Sequence, residues 1–282
     1  MRSPEDRRPR ARADALEPAT GPGSAGTPAP SVASSTDGSP VLALDHATRR
    51  FGGIVALDDV SFGVPAASVT CLLGENGAGK STAIDILSGV QRPSAGLVRV
   101  DGRAVTLHSP RDARALGVAT VYQTLALVPL MSVWRNFFLG VEPTRGRGAL
   151  RRLDAGTCRR QARAALDTMG IDLPDVDAPV GTLSGGERQA IAIARALHFG
   201  ARALILDEPT AALGVRQAEI MLDQVARARA GGAAVLLVTH HPGHALRAGD
   251  QFVVLRRGRV SARLSSAQAS VERLSRLMAG EE

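Results

Sequence analysis

The stretch VTCLLGENGAGKST, residues 69–82, constrains this chain more than any other part of it. Val69–Leu73 is a short apolar run that reads as a buried strand, and the glycines after it stop that strand before a helix begins. The spacing G-x-x-x-x-G-K-[ST], here Gly74, Gly79, Lys80 and Ser81, carries chemistry in this strand-to-helix context. The segment Gly74, Glu75, Asn76, Gly77, Ala78, Gly79, Lys80, Ser81, Thr82 can curl so that successive N–H groups face one concavity. The following helix points its positive end there, which makes a cradle for phosphate. Lys80 is the only lysine among 34 Lys and Arg, so the other 33 cations are arginines. A compact ammonium on a flexible stem reaches a phosphate in a tight nest where a planar guanidinium fits poorly. Ser81 is then the hydroxyl expected on Mg²⁺.

A nucleotide site also needs a carboxylate at the end of a second strand, and ALILDEPT, residues 203–210, supplies one. Asp207 is placed to hold Mg²⁺ through water, and Glu208 to orient or deprotonate a water that attacks the terminal phosphate. Ala233–Val238 reads as another buried strand, separated from the first by a helix over Ala218–Ala230. GLVRVDGRAV predicts a hairpin turning at Asp101-Gly102. Asp154 to Gly170 reads as a helix capped by Asp154 and ended by Gly170. Residues 1–40 are rich in Pro, Ala, Ser and Gly and are read as a disordered tail. Residues 41–282 form one domain, with antiparallel strands early, helical texture from about 111 to 200, and a parallel α/β core. These two motifs together describe a P-loop NTPase with a RecA-like parallel core.

The third motif is TLSGGERQ, residues 182–189. It reads physically as a capping box, Ser184-x-x-Glu187, with Gly185 and Gly186 opening a helix whose N–H groups and hydroxyl can meet a phosphate. In this company it resembles the signature of the ATP-binding cassette (ABC) ATPases, and the resemblance covers about residues 41–260. It implies an α/β cassette with an antiparallel β subdomain and a helical insertion, using ATP and Mg²⁺. Three further roles come with it. Phe51 would stack on adenine, Gln123 would contact the metal and the attacking water, and His240 would bridge Glu208 and the γ-phosphate. Lys80, Gln123, Glu208 and His240 are then the catalytic set, Ser81, Gln123 and Asp207 the metal set, and Ser184, Gly185 and Gly186 the groups offered to ATP on an opposing subunit.

That last role implies a dimer of cassettes, a homodimer by default. The family also implies separate permease subunits docked near Gln123–Gly140 and, through them, a periplasmic or lipid-anchored solute-binding protein. GENGAGKST, LVPLMSVWRNFFLG and TAALGVRQ look similar to bacterial monosaccharide importers of the fructose and ribose type. Branched-chain amino-acid importers are the nearest competitors, with a soluble ABC ATPase or a nucleotide-binding regulatory module as readings of another class. Two positions depart from the family pattern: Glu187 stands where glutamine is usual, and Gly214 where an aspartate commonly communicates across the dimer.

Composition narrows the alternatives. No run of 18 apolar residues occurs, and no apolar core follows the N-terminal arginines, so a cytosolic location is the default reading, and the family resemblance narrows it to the cytoplasmic face of a membrane, held peripherally. The net charge of +7 is densest at Arg145, Arg147, Arg151, Arg152, Arg159, Arg160 and Arg163. No aromatics interleave there, so this reads as a solvated face and no nucleic-acid partner is expected. Cys71 and Cys158 are too few for a disulfide framework. His240, His241 and His244 suggest a metal cluster, but Pro242-Gly243 is expected to break the helix that would align them.

Overall fold

A computed structural model describes residues 39–146, 148–211 and 213–281. The tail expected over 1–40 lies outside the described residues, apart from its last two. Alternating apolar residues make strand β1 (Leu42–Phe51), which turns at Gly52-Gly53 into the antiparallel strand β2 (Ile54–Val64). Both run on past their apolar residues, because pairing recruits the polar residues that face outward. Strand β3 (Ser68–Leu73) leaves this ribbon and leads into helix α1 (Lys80–Leu87). Strands β4 (Ala95–Val100) and β5 (Arg103–Val105) form the hairpin expected at Asp101-Gly102. The φ angles of 50° and 72° at those two residues are the left-handed values such a turn demands. The first sheet is antiparallel and ordered β2-β1-β4-β5.

Helix α2 (Pro110–Ala115) starts at Ser109, whose side chain accepts from the Asp112 N–H. Strand β6 (Val118–Val121) follows, then helix α3 (Val133–Phe138), a short hairpin of β7 (Thr144–Arg145) and β8 (Arg152–Leu153), and helices α4 (Ala155–Thr168) and α5 (Gly185–His198). The span from 111 to 200 is therefore not helical throughout, since β6 pairs into the core sheet. At four residues its alternation is too short to stand out from helical spacing. Helix α4 keeps both expected ends: Asp154 accepts from the Thr157 N–H at 3.1 Å, and Gly170 takes φ 63° just past the last turn. Of the arginine run, Arg147 lies outside the described residues, while Arg159 pairs with Asp177 at 2.8 Å and Arg145 with Asp154 at 3.5 Å.

The remainder alternates strand and helix: β9 (Ala203–Asp207), α6 (Val215–Ala230), β10 (Ala234–Thr239), α7 (Pro242–Ala248), β11 (Gln251–Arg256), β12 (Arg259–Ser265) and α8 (Val271–Ala279). The core sheet is ordered β12-β11-β3-β10-β9-β6, all parallel except β12 at its edge. Its central strands are buried on both faces. Val69, Cys71 and Leu73 of β3 join one apolar cluster and Leu72 the other, and β10 divides Val235 and Leu237 from Leu236 and Val238 in the same way. Each such side chain taken from water contributes roughly 1.5–3 kcal/mol, so this layer dominates the stability of the site's platform. Burial pushes the Cys71 thiol well above its ordinary range, as befits an inert core residue.

The strand order decides where the motifs meet. β10 lies between β3 and β9, with Thr239 opposite Leu73 and Val238 opposite Asp207. The residues that follow these strands therefore emerge at one edge of the sheet: Gly74 after β3, Glu208 after β9 and His240 after β10. β6 lies beside β9 with Val121 opposite Leu206, which brings Gln123 to the same edge.

Candidate active site

The loop between β3 and α1 is shaped by what its glycines lack. Gly79 has φ 109°, and a Cβ there would sit 2.7 Å from Leu57 Cδ2 and 2.8 Å from the Ala56 carbonyl. Its bare backbone lets β2 lie against the loop, which carries the β1–β2 hairpin and Phe51 to this side of the molecule. Gly74, at φ 154°, would place a Cβ 2.5 Å from the Leu255 carbonyl of β11. The turn between β11 and β12 backs the loop from behind, with the Gly258 N–H donating to the Ala78 carbonyl at 2.9 Å. No phosphate-site motif includes this turn, although Arg257-Gly258 is a recognisable turn signal in the sequence.

Lys80 is 8% exposed, and its ammonium donates to the carbonyls of Gly74 at 2.6 Å and Glu75 at 3.1 Å. Burial lowers its pKa, while the carboxylates of Glu208 and Asp207 oppose that shift. Asp207 is raised, first by burial and then by the charge of Glu208, with Lys80 pulling the other way. The β3 loop and the end of β9 thus form one electrostatic unit. Ser81 is exposed and Thr82 half-buried at the start of α1.

Glu208 has φ 47°, in the left-handed region that a residue with a side chain seldom occupies. Its N–H donates to the Val238 carbonyl at 2.9 Å, and its Oε1 lies 2.8 Å from His240 Nδ1. Its Oε2 is buried without a hydrogen-bond partner. An orphaned carboxylate oxygen beside Asp207 and an anion cradle is what a site for a nucleotide, its metal and an attacking water requires. The donor set fits Mg²⁺, with hard oxygens from Ser81 and Asp207 and coordination positions left for phosphate and water.

His241 and His244 stack beside His240, with ring centroids 4.1 Å and then 5.0 Å apart. Pro242 and Gly243 do not break a helix here, because Pro242 is the first residue of α7. Among the described residues no three His, Cys, Asp or Glu groups are arranged to hold a metal. His244 instead meets Thr210, with its Nδ1 2.9 Å from the threonine hydroxyl. The sequence signalled no partner for either residue.

Two of the expected residues stand at exposed positions. Phe51 is 41% exposed at the tip of the β1–β2 hairpin, where the Arg49 guanidinium lies 4.6 Å from its ring centroid. Gln123 is exposed just past β6. The capping box at α5 is complete: the Ser184 N–H donates to Glu187 Oε2 at 2.7 Å, and Ser184 Oγ accepts from the Glu187 N–H at 3.3 Å. The Ser184 hydroxyl keeps its own proton to donate elsewhere. Gly185 and Gly186 pack α5 against the segment before and within α6, since a Cβ on Gly185 would lie 2.7 Å from Leu213 Cδ2. Gly214 caps α6, and a Cβ on it would approach Gln217 Oε1 to 2.6 Å.

Residues 57–211 match the ABC transporter family model. A xylose/arabinose import ATP-binding protein of Sulfolobus acidocaldarius is 38% identical over 240 residues, covering 85% of this chain and 94% of that protein. A ribose import ATP-binding protein of Rubrobacter xylanophilus is 43% identical over 241 residues, 86% of this chain and 47% of that one, so the chain spans about half its length. A fructose import ATP-binding protein of Rhizobium meliloti is 38% identical over 225 residues, 78% of this chain and 86% of that one. Among solved structures, an ATP-binding cassette of an ABC transporter in its ADP conformation superposes with a TM-score of 0.72 at 24% identity, covering 85% of this chain and 95% of that one, a likeness of fold.

Proposed function

The chain belongs to the ABC transporter family of ATP-binding proteins, and from that premise we propose that it is the ATP-hydrolysing subunit of an importer for a monosaccharide. The observation that carries the hydrolytic part is the meeting of the β3, β9 and β10 ends, where the phosphate cradle, Asp207, Glu208 and His240 share one sheet edge. The sugar part is supported by the relatives, which are import ATP-binding proteins for xylose/arabinose, ribose and fructose.

In this reading the Gly74–Gly79 backbone and Lys80 bind the ATP phosphates, and Phe51 takes the adenine. Glu208, held by His240, orients and polarises the water that attacks the γ-phosphate. Ser81, Asp207 and Gln123 would hold Mg²⁺, which neutralises charge on the β- and γ-phosphates when bound. Ser184, Gly185 and Gly186 serve the nucleotide of a second cassette, so the working unit is a dimer. Among the described residues no helix is long and apolar enough to cross a membrane. In keeping with the import ATP-binding relatives, the dimer works in this reading on a separate permease at the cytoplasmic face of the membrane, fed by a solute-binding protein.

The test is affinity purification of the tagged chain from detergent-solubilised membranes, followed by hydrolysis assays with sugar-loaded binding protein. Co-purification of a polytopic permease and stimulation by one sugar support the reading. Recovery with soluble partners alone, or stimulation by amino acids and no sugar, would overturn it.

A further inference from the structure

The turn that carries Glu208 is gripped at two points by one short segment. His240 Nδ1 meets Glu208 Oε1 at 2.8 Å, and His244 Nδ1 meets the Thr210 hydroxyl at 2.9 Å. The ring of His241 lies between the two grips, 4.1 Å from His240 and 5.0 Å from His244, so the three rings form a continuous row. Thr210 is 4% exposed, and a buried hydroxyl is costly to leave unpaired. Its hydroxyl donates to His244 when Nδ1 is the unprotonated ring nitrogen.

The turn needs such a hold. Glu208 sits at φ 47°, a conformation that persists where its surroundings over-determine it. Backbone bonds supply part of the constraint, from Glu208 N–H to Val238 and from Ala211 N–H back to Glu208. They close the backbone across Pro209 and Thr210, and His244 adds a side-chain hold inside that turn, at the Thr210 hydroxyl. His244 is anchored for this task. It lies in the first turn of α7, and Ala245 beside it is buried and accepts a hydrogen bond from Cys71 Sγ of β3.

We infer that His244 is a positioning residue for ATP hydrolysis, which holds the Glu208 turn in its hydrolytic geometry through the Thr210 hydroxyl. This inference rests on the hydrolytic reading above. Among the described residues His244 makes no hydrogen bond to Glu208 or to the phosphate cradle, so its effect is expected on turnover, with nucleotide affinity left to Lys80 and its loop.

Steady-state hydrolysis of Mg-ATP by the full chain tests this in four variants: His244→Phe, His244→Asn, Thr210→Val and the double variant His244→Phe/Thr210→Val. Phenylalanine keeps the ring and removes the acceptor, and valine keeps the threonine's volume and removes the hydroxyl. Each single change is expected to lower kcat about tenfold, with KM near the parent value, because a misaimed catalytic group slows the chemical step. The double variant should be no worse than either single one, since both remove the same bond. His244→Asn, whose amide reaches where Nδ1 stood, should recover most of the activity. Parent-like kcat in Thr210→Val, losses that simply add, or a KM that rises as kcat falls would each overturn the inference. A parent no faster than Glu208→Gln would overturn the ATPase reading and the inference with it, whereas an active parent with unaffected variants overturns the inference alone.

Discussion

His240 Nδ1 lies 2.8 Å from Glu208 Oε1, while the other oxygen of that carboxylate is buried without a partner. The histidine thus fixes the carboxylate's orientation and leaves one oxygen for a water. Replacing Glu208 by glutamine keeps the shape and removes the base. Hydrolysis should fall about 10²- to 10⁴-fold while ATP still binds. Phosphate release and equilibrium nucleotide binding, measured on the same preparation, check both halves.

Lys80→Arg should fail although the charge is kept. Lys80 is 8% exposed and its ammonium donates to the Gly74 carbonyl at 2.6 Å, a close contact that a planar fork reproduces poorly. ATP affinity should drop at least about tenfold, because a charge-assisted contact to phosphate is worth upwards of about 1.4 kcal/mol. Titration with a fluorescent ATP analogue is the measurement.

Gly77 and Gly79 should respond differently to alanine. At Gly77 the φ of 80° is strained for alanine, but nothing lies within 4 Å of the new methyl, so a cost of roughly 1–2 kcal/mol is expected. At Gly79 the methyl would also meet Leu57 and Ala56 inside 3 Å, and the β1–β2 hairpin must move. Thermal unfolding should rank Gly79→Ala well below Gly77→Ala, and ATP binding should be lost in the former.

Glu187 separates capping from charge. Its carboxylate accepts from the Ser184 N–H at 2.7 Å, and a glutamine amide oxygen can do the same. Glu187→Gln should leave the melting temperature near the parent value and, on the proposed role of α5 at the nucleotide of a second cassette, raise turnover by removing a negative charge. Glu187→Ala should cost about 1 kcal/mol of stability. Calorimetry and steady-state hydrolysis on both variants distinguish the two roles.

His198 gives the fold an acid-sensitive point. Burial lowers its pKa below the ordinary 6.5, in a cluster where the rings of Phe137, Phe138 and Phe199 lie 5.2, 5.7 and 5.0 Å away. With the folded pKa depressed, the unfolded chain takes up a proton first as the pH falls. This group's contribution to stability is therefore present above 6.5 and is lost as the pH drops from there toward its lower folded pKa. Melting temperatures measured between about pH 7.5 and 5.5 should fall more steeply for the parent than for His198→Gln.

Much of the site was legible because its chemistry is written in local spacing. Gly74 to Thr82, Ala203 to Thr210 and Thr182 to Gln189 each place their functional groups within one turn or one strand end, so sequence order alone fixes what those groups can do. The strands Val69–Leu73, Ala203–Leu206 and Ala233–Val238 were legible for the same reason, as uninterrupted apolar runs. The order in which they stand side by side was not, because strands buried on both faces carry nearly the same apolar pattern and any of them satisfies the core in any slot. Setting β10 between β3 and β9 brings His240 to Glu208 across 32 residues and His244 to Thr210 across 34. The phosphate cradle, its lysine and its carboxylates are thus properties of this sequence. The aim of Glu208 belongs to the tertiary structure, because hydrogen bonds between distant segments form only after the parallel sheet has fixed which strand ends are neighbours.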